Sequence, residues 1–161
     1  MRLDTEILQA IATAGVEKRA ITNLKTLNEA HDYGSAFSRG LRVDLNGLAI
    51  LFISGTASID EHGKTLHVGD LRGQVRRTYQ NITLLLESEG ATWKDVVRTT
   101  NYLRDIERDY AAFNEERTRF FQAQALDPLP ASTGIQAILC RPELLVEIEC
   151  IAMLRIAATE K

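Results

Sequence analysis

Cysteine, proline and histidine are all scarce in this chain, and no apolar run is long. Cys140 and Cys150 are the only cysteines in 161 residues, too few for the disulfide framework of a small secreted scaffold. His31, His62 and His67 stand without a CxxC or HExxH pattern, so no metal ligand set is expected. Three prolines and ten scattered glycines leave no linker and no low-complexity tract. The longest apolar stretch, Gly47 to Ile53, falls far short of the roughly 20 residues of a spanning helix. Met1-Arg2-Leu3-Asp4-Thr5-Glu6 carries acids where a secretory signal has an apolar core. Neither sign of charge dominates: 19 Lys+Arg against 22 Asp+Glu gives 19 − 22 = −3. The basic excess of a nucleic-acid binder and a polybasic membrane patch are both missing. The expectation is a cytoplasmic protein with no membrane partner, for which nucleic acid is disfavoured.

What is there is core material. Apolar residues make up 45% of the chain, which supports one packed domain of ordinary size. Leu3, Ile7, Ala10, Ile11 and Ala14 at helical spacing, stopped by Gly15, predict an accessory N-terminal helix. Val16–Ile21 and Phe37–Val43 read as extended, and Leu48–Ser54 as a strand buried on both faces. Asp70 caps a helix whose stripe is Leu71, Val75, Tyr79, Ile82, Leu85 and Leu86, closed by Gly90. Asp95–Leu103 alternates as a strand. A second helix follows, with Ile106, Tyr110, Phe113, Phe120 and Phe121 on one face and Arg117 snorkelling from it. Ser132–Leu139 and Leu145–Leu154 are the last strands, joined by a turn at Arg141-Pro142-Glu143. Paired as a hairpin, they would set Cys140 opposite Leu144 and Cys150 opposite Gly134, too far apart for a disulfide. The expected order is β-β-β-α-β-α-β-β, a mixed sheet with two long helices on one face.

The last strand is the most informative. Val146, Ile148, Cys150, Ala152 and Leu154 share the side that suits the helices, while Glu147, Glu149, Ile151 and Met153 share the other. Two carboxylates among large apolar side chains fit a subunit interface better than a solvated face. No segment of the chain is left to cover that side.

Several ordered pieces together resemble the RidA family, also called YjgF or endoribonuclease L-PSP. They are Phe37-Ser38-Arg39-Gly40, Ile53-Ser54-Gly55-Thr56, Gln74 and Asn81, and Gly90 to Thr100. Leu103-Arg104-Asp105, Tyr110-Ala111-Ala112-Phe113-Asn114, Pro130-Ala131 and Val146 to Ala152 complete the series. The resemblance spans about Ser35 to Leu154 and implies a chorismate-mutase-like α/β (α+β) fold in a homotrimer. Ligands would sit in clefts between subunits and no cofactor would be needed. On this reading residues 1–25 form an N-terminal helix and strand extension and 26–161 the RidA-like domain.

The resemblance also implies hydrolysis of reactive enamines or imines of small carboxylate-bearing metabolites. The first glutamate of the family's Ile-Glu-Ile-Glu motif, thought to position water, is Glu147. Glu147 can equally be a structural interface carboxylate, and Glu149 is read as the more structural of the two. The family's Pro-Ala-Arg-Ser motif uses its arginine to grip the substrate carboxylate; here it reads Pro130-Ala131-Ser132-Thr133. A hydroxyl cannot replace a bidentate guanidinium, whose charged hydrogen bonds contribute about 1.5–3 kcal/mol. Phe37 stands where many members carry a ligand-facing tyrosine. Arg39 and Arg141 are candidates to compensate. Ser54-Gly55-Thr56 offers backbone N–H groups for a carboxylate, or is a plain strand end. Tyr102 is a pocket wall or core, and Ser132 and Thr133 can donate in the cleft. Phe37-Ser38-Arg39, Ser54-Gly55-Thr56-Ala57-Ser58-Ile59 and Cys140 to Ile148 further resemble the C-terminal half of chorismatases, which hydrolyse chorismate. A metabolite-binding protein without turnover is the remaining alternative. Ribonuclease activity is least favoured, although assembly could gather Arg39, Arg42, Arg72, Arg76 and Arg77 on one surface.

Overall fold

The computed structural model describes residues 15–22, 27 and 36–156. The predicted helix over residues 3–14, and His31, lie outside the described residues.

The predicted order of elements is found. Strands β1 (Glu17–Ala20), β2 (Gly40–Leu45) and β3 (Leu48–Ala57) precede helix α1 (Leu71–Glu87). A 3-10 turn at Trp93–Asp95 leads into β4 (Val96–Leu103), α2 (Ile106–Ala123), β5 (Ala131–Gln136) and β6 (Val146–Arg155). The six strands form one sheet in the order β1-β2-β3-β6-β4-β5. β1 hydrogen-bonds along β2, so the strand assigned to the N-terminal extension is continuous with this sheet.

The expected β5–β6 hairpin is not formed. β6 lies between β3 and β4, antiparallel to both, whereas β5 pairs in parallel with β4 at the sheet's edge. Composition explains the exchange. β6 buries Val146, Ile148, Cys150 and Ala152, as a central strand requires, whereas Ala-Ser-Thr-Gly-Ile-Gln is too small and polar for the centre. The β4–α2–β5 unit is a parallel crossover, which needs a helix and cannot be a tight hairpin. Both cysteines are free, Cys140 exposed and Cys150 buried, so the absence of a disulfide holds although the hairpin register does not. Burial pushes the Cys150 thiol up to about 12.

Local chemistry sets the elements. Asn46 (φ 50°) and Gly47 (φ 80°) make the left-handed pair that turns β2 into β3, with Leu45 opposite Leu48. Asp70 caps α1 by accepting from the Gly73 amide at 3.0 Å. Val75, Tyr79, Ile82, Leu85 and Leu86 are buried against the sheet. Tyr79 stacks on Phe120 with centroids 4.5 Å apart, and Trp93 meets both rings edge-on. Phe113 is buried, but Tyr110 of the predicted stripe is half exposed and lies over Gly134 of β5 instead. At the far edge, buried Glu89 accepts from Arg19 of β1 and Arg42 of β2, tying that edge to the end of α1.

The opposite face of the sheet carries Phe52, Ile151, Met153, Glu147 and Glu149. Phe52 is 43% and Met153 47% exposed. Val146, Ile148, Cys150 and Ala152 point to the core and Glu147 and Glu149 away from it, as the alternation of β6 predicts.

Candidate active site

The site begins with an irregularity in β3. Ile53 pairs with Cys150 and Thr56 with Ile148, so β3 carries one residue more than β6 across this stretch. The bulge at Ser54-Gly55 keeps Ser54 on the cleft side, where its hydroxyl donates to the Ser38 carbonyl at 2.7 Å and its amide to Arg39 O at 3.1 Å. It also leaves Gly55 beneath Glu147. A Cβ on Gly55 would lie 2.0 Å from Glu147 Oε1. Glycine here is a matter of space: the carboxylate occupies the place of the missing side chain.

Glu147 is half-buried. Desolvation raises its pKa above the ordinary carboxylate range, with Glu149 adding to the rise and Arg39 opposing it. Arg39 is 5% exposed, with its guanidinium carbon 5.5 Å from the centroid of Phe37. Phe37, Arg39, Ser54, Gly55, Arg141 and Glu147 line one cleft of about 470 Å³ together with Ala57, Ile59, Cys140 and Leu144. Six of the eleven expected site residues therefore meet in one place. Arg141 Nη1 donates to the Gly63 carbonyl.

The other five expected residues do not line this cleft, although Tyr102 is the cross-strand neighbour of Glu147. Glu149 lines a second cleft of about 460 Å³ on the open sheet face, which shares Phe37 and Ser54 with the first. Tyr102 hydrogen-bonds Glu149 and packs on Ala57, Leu139 and Leu144. Burial, then Glu149, raises its phenol pKa. Thr56 is buried, its hydroxyl donating to Ser54 O at 2.8 Å. Ser132 pairs with Thr99 on the helix side of β5, away from Glu147. Thr133 faces the open side, where its hydroxyl accepts from Arg98 Nη2 at 3.3 Å.

Three residues quoted in the resemblance, but given no site role, hold this architecture. Gln74 is fully buried; its amide donates to Glu143 O at 2.8 Å and accepts from Leu145 N at 2.8 Å. Asn81 donates to Ala57 O and Ile59 O, fixing the end of β3. Arg104 donates to the carbonyls of Leu139, Arg141 and Leu144, gripping the loop that brings Cys140 and Arg141 to the cleft. A polar side chain inside an apolar stripe, such as Gln74, was the available signal.

Within the protomer, arginines expected to gather on assembly already have partners. Arg42 engages Asp44 and Glu89, Arg72 and Arg76 engage Glu116, and Arg77 donates to Ile59 O. Among the described residues no three His, Cys, Asp or Glu side chains gather as a metal site, and no helix is long and apolar enough to cross a membrane.

The family model described as endoribonuclease L-PSP matches residues 27–154. The chain belongs to this family. A RutC family protein of Pyrococcus abyssi is 32% identical over 102 residues, covering 63% of this chain and 76% of that protein. The L-PSP fold is equally plain in solved structures. The Escherichia coli YjgF gene product superposes with a TM-score of 0.69 at 24% identity, covering 85% of this chain and 99% of the other. Escherichia coli TdcF with bound serine gives a TM-score of 0.70 at 22% identity, covering 84% and 98%. The six-stranded mixed sheet with two helices is thus the YjgF-like α+β architecture.

Proposed function

We propose that this protein is a RidA-type hydrolase of small enamine or imine acids, working as a homotrimer with its ligand clefts between subunits. The observation that carries the reading is the placement of Glu147. Its carboxylate rests over Gly55 in a cleft lined by Arg39 and Arg141, and burial holds its pKa above that of an ordinary glutamate. A carboxylate whose pKa is raised takes a proton from water more readily than an ordinary glutamate. Water attacks the imine carbon as Glu147 takes its proton. A C–O bond forms and that proton passes to nitrogen, giving a carbinolamine; the hydroxyl proton then passes to the amine as the C–N bond breaks, and ammonia leaves with a 2-oxo acid. No cofactor enters this balance.

The trimer reading is supported by the open sheet face, whose exposed Phe52 and Met153, beside a half-buried Ile151, call for a cover. TdcF, of the same fold, holds serine, which fits a small ligand with a carboxylate. The residues named for the ligand are Phe37, Arg39, Ser54, Gly55, Thr56, Tyr102, Ser132, Thr133, Arg141 and Glu149.

The test generates 2-aminoacrylate with a serine dehydratase and follows pyruvate and ammonia release. The wild-type protein should accelerate both, and Glu147→Gln should not. No acceleration by wild type sinks the deaminase reading.

Two guanidinium groups in one cleft favour a second reading, chorismatase-like hydrolysis of a dicarboxylate enol ether. Pyruvate release from chorismate, lost in Glu147→Gln, would support it. Ligand-dependent thermal stabilisation with no turnover of either compound would favour metabolite binding alone.

A further inference from the structure

We infer that Arg117 is the carboxylate-binding cation of this protein, delivered from α2 to the place where the family motif would project an arginine from β5. The inference rests on the reading that the site takes a small carboxylate metabolite. Ser132 stands in the motif's arginine position, and Arg117 Nη1 donates to its hydroxyl oxygen at 3.0 Å. A guanidinium therefore reaches β5 from the neighbouring helix although the strand itself has lost one.

The surroundings distinguish Arg117 from most arginines of the two helices. Arg72, Arg76, Arg108 and Arg119 contact carboxylates, and Arg77 donates to the Ile59 carbonyl. Arg117 makes no ion pair among the described residues. Its guanidinium carbon instead lies 5.5 Å from the centroid of Phe113, whose own ring is buried. A face-stacked, hydroxyl-bonded guanidinium is ordered in advance and still has N–H groups for a carboxylate fork.

Ser132 acts as its bracket. The hydroxyl oxygen also accepts from Asn101 Nδ2 at 3.0 Å and lies 3.2 Å from the Thr99 hydroxyl. Asn101 is itself fully buried and donates to Thr133 O at 3.0 Å. The Asn101–Ser132–Arg117 chain is thus anchored in the sheet. Within that chain the Asn101 Oδ1 has no donor among the described residues.

The probe is pyruvate, the carboxylate product of the proposed reaction, titrated into the full chain by calorimetry and by NMR of arginine Nε–H signals. Pyruvate should shift the Arg117 Nε–H resonance. Arg117→Ala should weaken binding about ten- to hundredfold, and Arg117→Lys less, since an ammonium lacks the fork. Adding Ser132→Arg to Arg117→Ala should recover much of the affinity, which a purely structural role for Arg117 would not allow. Three results overturn the inference: no pyruvate binding by wild type, an unmoved Arg117 resonance at saturation, or affinity lost in Arg98→Ala but kept in Arg117→Ala. The two readings fail separately. Pyruvate binding through Arg117 without 2-aminoacrylate turnover sinks only the hydrolase, whereas full turnover and binding in Arg117→Ala sinks only this inference.

Discussion

Glu147 Oε1 occupies the space that a side chain on residue 55 would fill, 2.0 Å from the ideal Cβ position of Gly55. The clash falls on the end of a flexible side chain and not on backbone. Gly55→Ala should therefore fold with a stability loss below about 1 kcal/mol, while swinging the carboxylate out of place. Its kcat for 2-aminoacrylate should fall about as far as that of Glu147→Gln, with the melting temperature nearly unchanged. A normal rate in a well-folded Gly55→Ala would remove Glu147 from the reaction.

The raised pKa of Glu147 gives a signed pH dependence. The folded state binds its proton more tightly than the unfolded chain does, so this site's contribution to stability is present at acid pH. That contribution is lost as pH rises from the ordinary carboxylate range through the raised value. Glu147→Gln should melt higher than wild type at pH 7, and the gain should vanish near about pH 4. Glu149→Gln removes a charge that raises the Glu147 pKa, so it should move the acid limb of the rate profile to lower pH. Melting curves across pH and a kcat/KM profile check both.

Within one protomer, Glu147 and the Arg117–Ser132 pair lie on opposite faces of the sheet. A ligand held by both must then touch two subunits. Arg117→Ala, weakened in binding, and Glu147→Gln, inactive, should reach about one quarter of wild-type activity at low substrate when refolded together in equal amounts, the random-mixing share for a site drawn from two neighbours. No recovery in verified mixed oligomers would place both groups in one protomer's site.

The open face should be the oligomer contact. Phe52→Glu puts a charge among Phe52, Ile151 and Met153 and should convert the assembly to single chains by light scattering, with the helix content kept. An unchanged mass would exclude this face.

Arg104 reaches three loop carbonyls, two of them at 2.6 and 2.5 Å. Arg104→Ala should lower stability by about 2–3 kcal/mol through the acceptors left unbonded. It should also weaken pyruvate binding, because Arg141 and Cys140 ride on that loop. Urea unfolding paired with calorimetry measures the two effects.

Much of this was legible in the residues. The Asp70 cap and its apolar stripe announced α1, and the alternation of β6 separated Val146, Ile148 and Cys150 from Glu147 and Glu149 without any structure. Pattern along one strand says which face a side chain takes, but it does not say which strand lies next door. The β5–β6 hairpin was therefore misread: proximity in sequence favoured it, and only burial competition between strands sent β6 to the centre and β5 to the edge. The candidate cleft was legible where its residues sit on or beside one bulged strand, as with Phe37, Arg39, Ser54 and Gly55. Ser132 is named for the cleft from its motif position, but the face of the sheet it takes follows from the register of β5 against β4, which the pattern of one strand does not give. Arg117 was read as a snorkelling interruption of an apolar face, since one helix cannot reveal what it will meet.

The bulge at Ser54-Gly55 has a consequence for how this protein can vary. Its extra residue resets the alternation of β3, so that Ile53 and Thr56 both face the core and Glu147 finds its gap. Removing one residue there would straighten the ladder and turn everything beyond it inside out. Length at this point is thus as constrained as chemistry: loops can lengthen or shorten through descent, whereas a single-codon insertion or deletion between Ile53 and Thr56 should be absent from functional descendants.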